Sequence, residues 1–442
     1  MKNIVKVWRS GTAFLLSAFS FLILITSCSN ELDETLQSAG NGNLQFVVSD
    51  FPTFGEDAQT RAIGTQDEGK IAWVDEDKIL VHLYSQKYGD QAVTLTFDAE
   101  NNTWESDGGT LSYLENETPT ITAVYAPDCE IKSDKTIGLL EGKQYGEAEY
   151  IPAKTTISGN TLDIRFESGR TYSRLRIAGL ANQTLTVTTT DFTPAGATEV
   201  ATAAYTLITD NNGNAYLYGT FAVGATVSVK QGDITLKDYT FTAEKNPNGT
   251  AYNKSYALDA TPVIDGTLGG KITATEDDIT ALVEQLKGYV DNGITTIIVP
   301  GSQPATIDMG LWINTAIGEA IYRLSKEESY DGKIDLILPD VTEIVDQEFD
   351  GAHALNSINL PKVTTVGDGA FYDCQYLEEL TFGSVVTAIN HNTRAEFHRV
   401  GEKVEGCDLV LNREQVNAEA DYQPNIETRT WWNTEWKSIT LK

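Results

Sequence analysis

The sequence is poor in the residues on which catalysis and metal binding most often rest. Four histidines (His82, His353, His391 and His398) and four cysteines are spread over 442 residues. There is no Gly-x-Ser-x-Gly elbow, no His-Glu-x-x-His helix, no phosphate loop and no dinucleotide fingerprint. His391 and His398 lie seven apart in an irregular stretch, a surface pair rather than a metal site. Asp210-Asn211-Asn212-Gly213-Asn214 lacks the distal glutamate of a calcium loop and reads as a hairpin turn. Positive charge is scarce as well: 32 Lys and Arg face 63 Asp and Glu, for a net charge of −31. Such a chain repels nucleic acid and anionic head groups, which excludes nucleic-acid partners. With so many acids, a pair of carboxylates says nothing about glycoside hydrolysis. No metal, no cofactor and no enzymatic activity are expected. Beyond Cys28 only Cys129, Cys374 and Cys407 remain, an odd number at wide spacing that excludes a disulfide framework. A single Cys374–Cys407 bridge and three buried thiols both stay open.

Long apolar runs are also missing, except at the start. Phe14 to Ile25 is apolar apart from Ser17 and Ser20, and follows Lys2, Lys6 and Arg9. A dozen such residues fall short of the ~20 that span a bilayer, so residues 1–27 read as a secretion signal. Ile25-Thr26-Ser27-Cys28 resembles a bacterial lipobox, and the resemblance implies lipid on Cys28 and cleavage before it. Removing Lys2, Lys6 and Arg9 with the leader, which holds no acid, deepens the charge to −34. Residues 28–42 are polar and glycine-rich, too poor in apolar side chains to fold, and form a linker lifting the rest off a membrane leaflet.

From Leu44 to about Leu258 short runs alternate apolar and polar residues between turn clusters. Leu44–Val48, Ile79–Leu83, Val93–Phe97, Ile121–Tyr125, Leu162–Phe166 and Val227–Val229 are examples. Period-2 alternation with tight polar turns is the pattern of antiparallel sheets with one apolar face. The stretch is too long for one small sandwich, and a boundary near Glu147-Ala148-Glu149 divides it into units 43–148 and 149–263.

After Asp265-Gly266-Thr267 the pattern changes. Thr275-Glu276-Asp277-Asp278 resembles a capping box, and Ile279, Leu282, Val283, Leu286 and Val290 follow at helical spacing. A second helix carries Ile313, Ala316, Ile317, Ala320, Ile321 and Leu324. Then a repeat begins. Leu338-Pro339, Val341, Ile344, Phe349, Leu355 and Ile358 recur 22 residues later as Leu360-Pro361, Val363, Val366, Phe371, Leu377 and Leu380. A period in the low twenties means a leucine-rich solenoid. Apolar pairs trace further coils: Ile297/Val299, Leu336/Leu338, Ile358/Leu360, Leu380/Phe382, Leu409/Leu411 and Ile439/Leu441. The fold expected is mostly β, with two tandem antiparallel β-sandwiches followed by an α/β leucine-rich-repeat unit with a helical cap at 264–442.

Gly367-Asp368-Gly369-Ala370-Phe371-Tyr372-Asp373-Cys374 resembles the BspA-like leucine-rich repeats, whose members are mostly adhesive surface proteins. The preceding coil departs from that pattern, with Glu348-Phe349 for Ala-Phe and Ala352 for the cysteine. Residues 28–260 resemble the fimbrillin-like outer-membrane lipoproteins. The resemblance is carried by Leu44–Val48, Thr60-Arg61-Ala62, Trp73-Val74-Asp75-Glu76-Asp77-Lys78-Ile79, Val124-Tyr125-Ala126-Pro127, Ser173–Ile177 and Tyr256-Ala257-Leu258. It implies transthyretin-like sandwiches and an assembly by strand exchange. Cleavage between Arg61 and Ala62 releases the strand bearing Leu44, Phe46 and Val48, and a strand of a neighbouring fimbrial subunit takes its place. The last residues fall inside the final apolar pair, leaving no strand to donate, which is expected of a tip or accessory subunit. The alternative is a non-polymerising surface lipoprotein that binds a glycan or host protein. Trp431, Trp432 and Trp436 are the candidate ligand contacts, set against their use as an aromatic seal on the last coil.

Overall fold

The computed structural model describes residues 44–52, 70–114, 116–166, 170–302, 304–307, 313–391 and 395–442. Cys28, Arg61 and Ala62 lie outside the described residues. The protein is mostly β, with two α-helices among the described residues.

In the first unit, β1 (Gln45–Val48), β2 (Lys78–Ser85), β3 (Gly89–Asp98), β4 (Thr103–Ser106) and β5 (Thr120–Tyr125) follow one another. An antiparallel sheet runs β4-β3-β2-β5 and ends on Ile151–Pro152. Strict alternation turns Ile79, Val81 and Leu83 of β2, and Val93 and Leu95 of β3, to one buried face. A smaller sheet shares that core. It consists of β1, Thr161–Arg165 and Lys154–Ser158 in that order, and it contributes Leu44, Leu162 and Ile164. Residues 154–166, which follow the expected boundary at 148/149, thus pack into the core of the first unit. Alternation identifies a strand without naming the sheet it joins.

The second unit is one continuous seven-stranded sheet around a core of Ile177, Val187, Phe192, Phe221 and Val227. Its long strand Thr184–Pro194 changes partners part-way. It pairs with Ala201–Ile208 and Thr226–Gln231 over its first half, and with Asn214–Phe221 over its last three residues. A register break between Thr189 and Phe192 marks the switch, where a bulge lets a strand bend around its own core.

The third unit stacks six parallel strands: Thr296–Ile298, Ile334–Ile337, Leu355–Leu360, Glu379–Phe382, Asp408–Leu411 and Ser438–Leu441. Their register sets Ile297, Leu336, Ile358, Leu380, Leu409 and Ile439 in one row, the six positions at which the apolar pairs begin. Glu343–Ile344, Thr365–Val366 and Ala388–Ile389 form a second parallel ladder on the return side of the coils. The ring of Phe371 stacks between those of Phe349 and Phe397, 5.8 Å from each. Helices α1 (Glu276–Asp291) and α2 (Ala316–Leu324) join the same core through Ile279, Leu282, Leu286, Ile317, Ile321 and Leu324. The capping box of α1 is complete: Thr275 Oγ1 accepts from Asp278 N, and the Asp278 carboxylate accepts from Thr275 N at 2.9 Å. Ile313, expected in the second helix, lies ahead of it but is buried, because Thr315 takes the N-cap.

Candidate functional site

The strand expected to be displaced is β1, which carries Phe46 and Val48 and directly follows Leu44. The strand lies at the edge of its sheet, with a single ladder neighbour among the described residues. That neighbour, Thr161–Arg165, runs parallel to it with Gln45 opposite Thr161 and Val48 opposite Ile164. Gln45 N donates to Asn160 O at 2.8 Å and Ser49 N to Ile164 O at 3.0 Å. Just beyond the ladder Ser49 fixes the exit of the chain. Its hydroxyl accepts from Phe166 N at 2.9 Å, and its carbonyl accepts from the Trp73 indole N–H at 2.9 Å.

Side chains alternate as a half-buried strand requires. Leu44 is buried, Phe46 and Val48 rest against the core, and Val47 is 50% exposed. Burying such side chains is worth roughly 1.5–3 kcal/mol each. Beside the segment in the same sheet, the buried Leu162 and Ile164 stand opposite Phe46 and Val48. Next to the seat, the Arg170 guanidinium holds Glu149 through Nε (3.0 Å) and Nη2 (2.9 Å). Burial raises the Glu149 carboxyl above its usual range, and Arg170 opposes that rise. Burial likewise pushes the Tyr125 hydroxyl well up, with the nearby Asp77 and Glu149 charges adding to it.

The tryptophans divide differently. Trp431 and Trp436 are buried, with rings 5.6 and 5.3 Å from that of Phe397. The Trp431 indole N–H donates to Tyr422 O at 2.9 Å. Both rings pack into the core of the last coil. Trp432 is half-buried, stacked on Tyr422 at 5.2 Å, and donates to Glu396 Oε2 at 3.0 Å. It sits at φ +48° beside Asn433 at +55°, in the tight turn between Thr430–Trp431 and Thr434–Glu435. Sequence reasoning missed the group formed by Asp368, His391 and Glu396, whose donor atoms lie within 4.8 Å of one another. Its members come from neighbouring coils, so no local spacing announces it. Both Glu396 oxygens are engaged, Oε1 with His391 Nδ1 at 2.9 Å and Oε2 with Trp432. His82 lies beside Asp90 and His353 beside Asp373, in two other places. Cys129, Cys374 and Cys407 are buried free thiols, and burial pushes each up.

Residues 333–399 match the BspA type leucine rich repeat region, which covers the regular coils. The molecule is thus a mostly β protein carrying BspA-type leucine-rich repeats. One similar solved structure is the crystal structure of a candidate cell-adhesion protein from Bacteroides fragilis, 12% identical, covering 50% of this chain and 93% of that one. Its TM-score of 0.26 is too low to carry an argument about the fold. No curated protein matches the chain. No helix among the described residues is long and apolar enough to cross a membrane.

Proposed function

We propose that the chain is an outer-membrane surface lipoprotein, anchored through Cys28, that serves as a tip or accessory subunit of a fimbrium. In this reading residues 43–263 form two tandem transthyretin-like sandwiches of fimbrillin type, and residues 264–442 form a leucine-rich solenoid acting as a non-catalytic adhesive head. Proteolysis between Arg61 and Ala62 frees the segment bearing Leu44, Phe46 and Val48, and a strand of another fimbrial subunit fills the vacancy by β-augmentation. The observation that supports it is the place of β1: an edge strand with one ladder neighbour among the described residues, followed directly by the connection that carries Arg61. An edge strand can leave without breaking a ladder on both sides, whereas a central one cannot.

The head has a surface suited to a ligand. On the outer side of the long parallel ladder, one row reads Thr296, Asp335, Ser357, Glu379, Asp408 and Ser438. Asp335 accepts from Ser357 Oγ at 2.7 Å, and Asp408 from Ser438 Oγ at 2.7 Å, so the carboxylates are held in place. Such a row offers acceptors to sugar hydroxyls or to basic side chains of an extracellular protein. Because it does not depend on strand exchange, it equally favours the second reading, a surface lipoprotein that captures a glycan or host protein and never polymerises. Mass and N-terminal sequence of the protein recovered from cell envelopes separate the two. A native chain beginning at Ala62 supports assembly. One beginning at lipidated Cys28 supports the second reading.

A further inference from the structure

The chain between β1 and the Arg61 connection ends in a socket that is more selective than an apolar groove. Phe51, three residues past the ladder, is 5% exposed. Its ring meets Trp73 edge-on at 4.8 Å and 86°, and Tyr125 at 5.4 Å and 90°. Two cations also lie over it: Lys70 Nζ at 5.1 Å from the centroid and Arg170 Cζ at 5.5 Å. Neither cation is free to drift. Lys70 is tied to Asp77 and donates to the Tyr125 hydroxyl at 2.9 Å, while the Arg170 side chain is fully buried against Glu149. Cations held over a ring draw on its quadrupole, and edge-on aromatic neighbours add a second geometric demand. An aliphatic side chain of the same bulk fills the volume but offers neither a negative face nor an edge-on partner.

We propose that this socket selects the strand that occupies the β1 seat: the incoming segment must be extended, carry apolar side chains where Leu44, Phe46 and Val48 stand, and deliver an aromatic ring where Phe51 stands. This rests on the strand-exchange reading above and adds the partner's chemistry to it. Two further groups hold such a segment in register, the Trp73 indole N–H and the Phe166 backbone N–H. The first takes a main-chain carbonyl and the second a hydroxyl at the position of Ser49. The residue following the ladder is therefore one with a short side-chain acceptor, and the aromatic comes two residues later.

The test uses the full chain from Ser29, with a site-specific protease sequence replacing the residues around Arg61 so that it is cut once in that connection. Fluorescent peptides of residues 43–53 carry Phe, Tyr, Leu or Ala at the position of Phe51, and anisotropy reports their uptake. Expected are uptake by the cut chain alone and a preference for Phe over Leu on the order of tenfold. Lys70→Met in the protein is expected to shrink that preference about threefold. Equal affinity of the Phe and Leu peptides overturns the socket and leaves strand exchange standing. No uptake of any peptide overturns both. A second measurement needs no exchange. In the uncut chain, urea denaturation of Phe51→Leu, Lys70→Met and the double variant is expected to show that the double loses less than the sum of the singles. Strict additivity counts against the socket.

Discussion

Glu348 shows how one residue that departs from its repeat can set a property of the whole unit. In the next coil the same position is Ala370, 22 residues on, and both are buried. The carboxylate is held by two donors, Thr315 Oγ1 at 3.1 Å and Val345 N at 3.0 Å. Burial nevertheless outweighs those bonds and pushes it up to about 7 from the ordinary 4.5. Between those two values the folded chain keeps a proton that the unfolded chain has released. Stability therefore falls as pH rises through that window, by about 3 kcal/mol once the group is fully ionised, and nothing is lost below pH 4.5. Glu348→Gln keeps the shape without the charge, and its amide can accept from Val345 N while donating to Thr315. The variant is expected to be more stable than the parent at pH 8 and equal to it near pH 4.5, read as the difference in urea midpoints. A difference that does not vary with pH would falsify this account.

At the scale of elements, the coils are held by columns of equivalent apolar residues, and the phenylalanine column is the most sensitive. Phe371 is fully buried with a ring on either side, so its loss strips contacts from both Phe349 and Phe397. Phe371→Ala is expected to cost about 3–5 kcal/mol, against about 1 kcal/mol for Thr275→Ala at the exposed capping box of α1. Urea denaturation monitored by the nearby tryptophans checks the ranking, and a smaller loss at Phe371 than at Thr275 sinks it. Both features were legible in the sequence, since a 22-residue period and a Thr-x-x-Asp spacing are local facts. The partner of β1 was not. Gln45 lies opposite Thr161, and nothing in the alternation of either strand names the other. Alternation alone therefore cannot tell which core residues 154–166 join. The tryptophans illustrate the same limit. Adjacency says that Trp431 and Trp432 face differently, but only the fold decides that Trp431 is the buried one and Trp432 the half-buried one.

Taken whole, the molecule has several apolar cores rather than one, and the joints between them govern how it unfolds. Leu236 packs against both the core of the second unit and that of the repeat unit, and Ile234 rests on the latter. The polar part of this joint includes the Tyr289 hydroxyl, which donates to Val263 O at 3.2 Å, and a device at the end of α1. Asn292, the C-cap of α1, accepts from Asp233 N at 2.7 Å through Oδ1, while its Nδ2 donates to Gly288 O at 2.8 Å. Gly232 makes that approach possible: it sits at φ +56°, and a β-carbon there would meet Asn292 Oδ1 at 2.2 Å. Gly232→Ala thus adds backbone strain and forces the tight turn off the helix end, loosening the joint without touching either core. Separate cores joined by so small an interface are expected to unfold in more than one calorimetric transition. In the variant, the transitions of the second and repeat units are expected to move apart, while that of the first unit, which shares no residue with this joint, stays in place. A single transition whose calorimetric and van't Hoff enthalpies agree, in parent and variant alike, would mean that the units fold as one and that the joint carries far more than these few residues.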